Sequence, residues 1–235
     1  MTTAWPIQAR IRGVLRRPRA TFEALAAAPR SADVLAIAFL AALSAGALVL
    51  ETGVGELALV DQLERAATAF GEPIDAGQYA ALQEMSEHGT AYAAITSLVS
   101  GPLLAFGLSA ALVGILRAPP GHTVTYRQVL AIASHAGVIL ALRQVIAAPV
   151  LYARETTASP VTLSMFFTLL DDGSPLARFA SLIDLFVIWW IVVLAIGVSV
   201  LYARPAARLA TTFAGIYLLL AALVALAMAA TGGAA

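Results

Sequence analysis

The chain has 235 residues, of which 60% are hydrophobic and 12% charged, and its mean hydropathy is +0.87. An ordinary soluble domain is about 25% charged, so this composition argues against a soluble enzyme, which would lack the polar surface to cover its core. The 14 basic and 14 acidic residues cancel to zero net charge, which argues against a nucleic-acid partner held by a basic surface.

There is no Cys, so disulfides, thiolate metal sites and cysteine nucleophiles are absent. Every cation is Arg, which removes lysine Schiff-base chemistry and a phosphate-loop lysine. An Ala-rich, Arg-only chain points to a high-GC bacterial source. No catalytic grouping, metal site or cofactor motif stands out, and the chain reads as a non-enzyme.

Residues 1–32 form a basic amphipathic segment. Ile7, Ile11, Val14 and Leu15 recur at helical spacing among Arg10, Arg12, Arg16, Arg17 and Arg19, and Pro18 opens a second short helix carrying Phe22 and Leu25. Such a stretch beside a span is drawn to anionic headgroups by about 1 kcal/mol per cation. Arg10, Arg12, Arg16, Arg17, Arg19 and Phe22 are therefore the expected surface for lipid or for a membrane or cytoplasmic protein partner.

Five apolar stretches reach the roughly 20 residues a transmembrane helix needs: 33–50, 91–116, 129–152, 180–202 and 207–229. More than 30 residues precede the first, which argues against a signal peptide. Asp33 reads as the N-cap of the first span, and Gly101-Pro102 should kink the second. Between the first two spans, residues 51–90 are acidic. Two short helices are expected there, with Leu57, Val60, Leu63, Ala67 and Phe70 on one stripe and Tyr79, Leu82 and Met85 on another, parted by a Gly71-Glu72-Pro73 turn. Glu84 and His88 share a helix face in this reading, a solvated acidic face rather than a metal pair. Asp171-Asp172-Gly173 reads as a turn, and Leu163–Leu170 as an interfacial segment.

The segments that alternate between spans differ in charge. Those on the N-terminal side carry ten Arg and two acids, those on the opposite side eleven acids and three Arg. The positive-inside rule then places the N-terminus in the cytoplasm and the C-terminus outside. The expected fold is an all-α polytopic membrane bundle of five transmembrane helices with short amphipathic interfacial helices, a single domain over 1–235 in a bacterial inner membrane.

Three ionisable residues fall inside spans, where each is a functional candidate. Arg143 lies about 13 Å from the outer end of the third span and Asp184 about 9 Å below the outer end of the fourth, so the two are expected to pair. His135 lies two turns before Arg143, about 80° around the helix, with a neighbouring carbonyl or Ser134, Ser97 and Ser100 as hydrogen-bond candidates. A polar path through His135, Arg143 and Asp184 would suit a small transporter or channel, the alternative to a scaffold. Trp189 and Trp190 read as mid-span packing residues.

The run Ile11-Arg-Gly-Val-Leu-Arg-Arg-Pro-Arg-Ala-Thr-Phe22 resembles the start of bacterial Yip1-family membrane proteins. Gly121-His-Thr-Val-Thr-Tyr126-Arg-Gln-Val-Leu130 is similar to that family's approach to its third span. Leu182-Ile-Asp-Leu-Phe186-Val-Ile-Trp189 with Val193-Leu-Ala-Ile-Gly197 is similar to its fourth. The resemblance covers most of the chain and implies a five-span membrane fold of scaffold or partner-binding type. Eukaryotic members bind Rab-type GTPases in vesicle traffic, which bacteria lack, so the resemblance bears here on fold and location.

Overall fold

The computed structural model describes residues 5–68, 74–116, 118, 120, 123–154, 159–167 and 174–231. The expected turns at 71–73 and 171–173, Phe70, Arg117, the Gly121-His122 pair and residues 168–170 lie outside them. The regular elements are helices: α1 Ile7–Arg16, α2 Pro18–Ala27, α3 Ala32–Leu50, α4 Gly53–Thr68, α5 Ala76–Ser86, α6 Gly89–Leu98, a π turn Val99–Leu103, α7 Leu104–Ile115, α8 Tyr126–Ala136, α9 Val138–Arg154, a 3₁₀ turn Leu163–Phe166, α10 Pro175–Leu182, α11 Leu185–Tyr202 and α12 Ala206–Thr231. Five stretches are long and apolar enough to cross a membrane: Ala32–Leu50, Gly89–Ile115, Tyr126–Arg154, Leu185–Tyr202 and Ala206–Thr231.

The spans differ from expectation in instructive places. At Gly101-Pro102, where a kink is expected, the second span passes through a π turn that takes up the missing donor of Pro102 inside a continuous helix. The fourth span is not one helix over 180–202. It is interrupted at Ile183-Asp184, where the chain leaves helical geometry and Thr162 pairs with Asp184 in an isolated antiparallel bridge. Because α11 starts at Leu185, Trp189 and Trp190 lie one turn inside its beginning, not in its middle.

The chain forms two compact units. The first comprises residues 1–41, 97–142 and 187–214. Its core is a hairpin of α1 and α2 on α8. Pro18 occupies the first turn of α2, where its missing N–H costs nothing. The hairpin closes tightly because Gly13 has no side chain: a Cβ there would lie 2.4 Å from Thr21 Oγ1. Val14, Phe22 and Leu25 are buried, and Val129–Ala136 is buried on every side. Gln128 Nε2 donates to Ala26 O at 2.9 Å, fixing the end of α2 to the first turn of α8.

The second unit comprises residues 42–96, 143–186 and 215–235. Ala45, Val49 and Ala148 form one cluster with Leu151 against it, and Leu50, Leu59 and Ala93 another. The acidic segment folds as α4 and α5 as expected, and Asp75 and Gln78 form a reciprocal capping box for α5. The expected apolar stripes are split: Val60 is buried and Leu63 packs on the Leu50–Leu59–Ala93 cluster, whereas Leu57 is 69% exposed and Tyr79 and Met85 are also exposed. Glu84 and His88 do not share a helix face, because α5 ends at Ser86.

Candidate functional site

The polar residues within the first unit converge on Arg10. It lies on the same helical stripe as Ile7 and Val14, and burial of that stripe takes the guanidinium inside, leaving Arg10 3% exposed. There it forms a two-pronged contact with Asp33: Nη2 is ion-paired with Oδ2, and Nη1 donates to Oδ1 at 3.2 Å. Asp33 lies inside the first turn of α3 instead of capping it from outside, and its Oδ1 also accepts from Val34 N at 2.9 Å.

The third member is His135, which is fully buried. Its Nε2 faces Arg10 Nη1 at 3.2 Å and its Nδ1 faces Ala131 O at 2.7 Å. A guanidinium has no acceptor, so Nε2 accepts and the ring proton sits on Nδ1, donating to the main chain. His135 is thus held by Arg10 and by a carbonyl of its own helix, the carbonyl alternative to the candidate serines. Arg10 Nε is buried without a hydrogen-bond partner among the described residues.

In the second unit Arg143 Nε lies 2.5 Å from Asp184 Oδ2. That contact is ionic and not a directed hydrogen bond. Arg143 Nη2 donates to Ser159 Oγ at 3.2 Å, and Ser159 Oγ in turn donates to Asp184 Oδ2 at 3.5 Å. Asp184 does more than pair. Its Oδ1 accepts from Phe186 N at 2.8 Å at the start of α11, and its own N–H donates to the Tyr217 hydroxyl at 2.9 Å. Tyr217 passes the chain on by donating to Leu182 O at 2.8 Å. The groups left unpaired where the fourth span breaks are therefore served by Asp184 and Tyr217. Ser159 and Tyr217 were not singled out from sequence. The legible signal was Asp184 itself, an Asp immediately before a strongly apolar run.

The expected docking surface divides. Arg12, Arg16, Arg17 and Arg19 are exposed, and Arg19 is paired with Glu23 at 3.1 Å in an equally exposed i,i+4 contact. Arg10 and Phe22 are interior: the first is committed to Asp33 and His135, the second lies beneath α2 against Gly197.

A Yip1 domain family model matches residues 12–229, nearly the whole chain. The chain belongs to the Yip1 family. No curated protein and no solved structure gave a match. The match covers the first four candidate spans whole and the fifth to within two residues of its end, so this Yip1-family chain is a multi-pass membrane protein.

Proposed function

We propose that this Yip1-family protein is a non-enzymatic membrane scaffold that presents the α1–α2 hairpin to anionic lipid headgroups and to a membrane or cytoplasmic protein partner. The observation that carries the reading is the division of the N-terminal arginines. Arg10 is locked inside with Asp33 and His135, while Arg12, Arg16, Arg17 and Arg19 face outward from a hairpin that Phe22 anchors. A cationic face on a rigid support suits docking better than a loose tail, because less ordering entropy is lost on binding. The arginine distribution supports a cytoplasmic N-terminus, an external C-terminus and a bacterial inner membrane.

The transport reading needs His135, Arg143 and Asp184 to act along one path. His135 is engaged by Arg10 and Ala131, whereas Arg143 and Asp184 are engaged by each other and Ser159. Those internal bonds favour structural roles.

Deleting residues 1–28 would strip Val14, Phe22 and Leu25 from the core, so the informative test is charge removal. A photo-crosslinker at exposed position 8 or 20 in native membranes should give protein and lipid adducts that are depleted in the variant R12Q/R16Q/R17Q/R19Q. Adducts unchanged by that substitution would overturn the docking role.

A further inference from the structure

A cavity of about 390 Å³ opens beside the Arg10–Asp33 pair, lined by Arg30, Ser31, Ala32, Asp33, Arg127 and Leu130. Its volume lies in the range of small-molecule sites. Two elements frame it. The link from α2 to α3 supplies Arg30 and Ser31, and the second residue of α8 supplies Arg127. The Gln128–Ala26 hydrogen bond holds these elements together.

The charge inside this cavity is unbalanced. Asp33 is its acid, but both carboxylate oxygens are taken by Arg10 and one also by Val34 N. Arg30 and Arg127 have no acidic or hydrogen-bond partner among the described residues. Two unpaired arginines therefore line one space whose acid is already paired with Arg10. Each presents a fork of donors suited to bidentate contact with oxyanions. Ala32 and Asp33 begin α3, so the positive end of that helix is directed to the same place. Leu130 and Ala32 give the cavity an apolar wall. It also sits beside the first residues of two candidate spans, Ala32 for the first and Tyr126 for the third, and the ends of a spanning helix meet the headgroup region.

We propose that this cavity binds the phosphate of a phosphate ester, with Arg30 and Arg127 clamping the oxyanion and Ser31 adding a hydroxyl donor. The ligand chemistry is shared by an anionic phospholipid headgroup and by free phosphate. The site uses residues distinct from the outward face of α1 and α2, so it stands whether or not that face docks a partner.

The test uses the full chain purified in a neutral detergent, with thermal unfolding followed during titration of short-chain phosphatidylglycerol and, separately, of inorganic phosphate. Wild type should show a saturable upward shift in melting temperature. The variant R30Q/R127Q should need at least tenfold more ligand for the same shift, and R30Q or R127Q alone an intermediate amount. R30K/R127K, which keeps the charge but loses the bidentate fork, should fall between wild type and R30Q/R127Q. Both arginines are exposed and unpartnered, so the single variants keep the test meaningful if the double variant folds poorly. A shift with phosphatidylglycerol at concentrations where inorganic phosphate gives none identifies a lipid site; equal shifts identify a site for phosphate itself. The control R12Q/R16Q/R17Q/R19Q should bind as wild type does. Absence of any saturable shift, or equal binding by wild type and every Arg30 and Arg127 variant, overturns the proposal. Loss confined to the four-arginine control would also overturn it while leaving the docking surface intact.

Discussion

Phe22 of α2 lies directly over Gly197 of α11. A Cβ built on that glycine would come 3.1 Å from the Phe22 ring and 2.4 Å from Ile132 Cγ2. The hairpin that carries the exposed arginines is thus seated in a notch made by the absence of a side chain. Gly197→Ala should destabilise the detergent-solubilised protein by about 1–3 kcal/mol, the usual cost of overpacking. Phe22→Leu in the G197A background should recover part of the loss, because it relieves one of the two clashes. Additive losses in the double variant would show that Phe22 and Gly197 are not coupled.

Arg10 and Asp33 differ in exposure, with side chains 4% and 45% accessible. Asp33→Asn leaves a buried guanidinium without its counter-charge, whereas Arg10→Met leaves a carboxylate that water can reach. D33N should therefore be the more damaging, at about 3 kcal/mol, the low end for breaking a buried pair. R10M should cost about 1–2 kcal/mol, chiefly through the lost donor to His135. The double variant should melt close to R10M. A melting temperature for R10M below that of D33N would contradict this division.

The five spans were legible because hydropathy over some 20 residues is a property of composition alone. Their interior geometry was not. Ile183-Asp184 lies within an apolar run, and the break there depends on partners far along the chain: Leu163 N donates to Ile183 O at 2.7 Å, Leu185 N to Val161 O at 3.1 Å, and Asp184 N to Tyr217. No local pattern encodes those contacts. Arg10 was legible in principle, since it falls on the Ile7–Val14 stripe. Reading it as one of a basic series obscured that position. His135 lies in a stretch buried on all faces, where the period of the helix carries no directional information, so sequence did not reveal that Arg10 would be its partner.

Asp184 has two structural duties, and charge exchange can restore only one. The variant R143D/D184R rebuilds an ion pair but removes the oxygen that accepts from Phe186 N. Its melting temperature should rise above that of D184R yet remain below wild type. Asp184→Asn keeps an acceptor for Phe186 N and should be milder than Asp184→Ala, which loses both the pair and the cap, by about 1 kcal/mol. Full recovery in the exchanged variant would show that the cap contributes nothing. No recovery at all would show that the ion pair contributes nothing.

Glu51, just beyond the end of α3, accepts from both the hydroxyl and the amide of Thr90, the amide at 2.9 Å. These two donors hold its carboxyl below the usual carboxylate value, the hydroxyl having the larger effect. A carboxyl depressed in the folded state contributes its full stabilisation above its unfolded value, and that contribution drains away as the pH falls through the folded value. Hydrogen exchange at the Thr90 amide, corrected for the intrinsic rate, should therefore lose protection as the pH falls through and below the ordinary carboxylate range. Thr90→Ala removes the hydroxyl donor but keeps the amide, so the loss should be smaller in total and complete at a higher pH. Glu51→Gln keeps a neutral acceptor and should give a profile flat over the same range. A Glu51→Gln profile that tracks wild type would assign the acid sensitivity to another group.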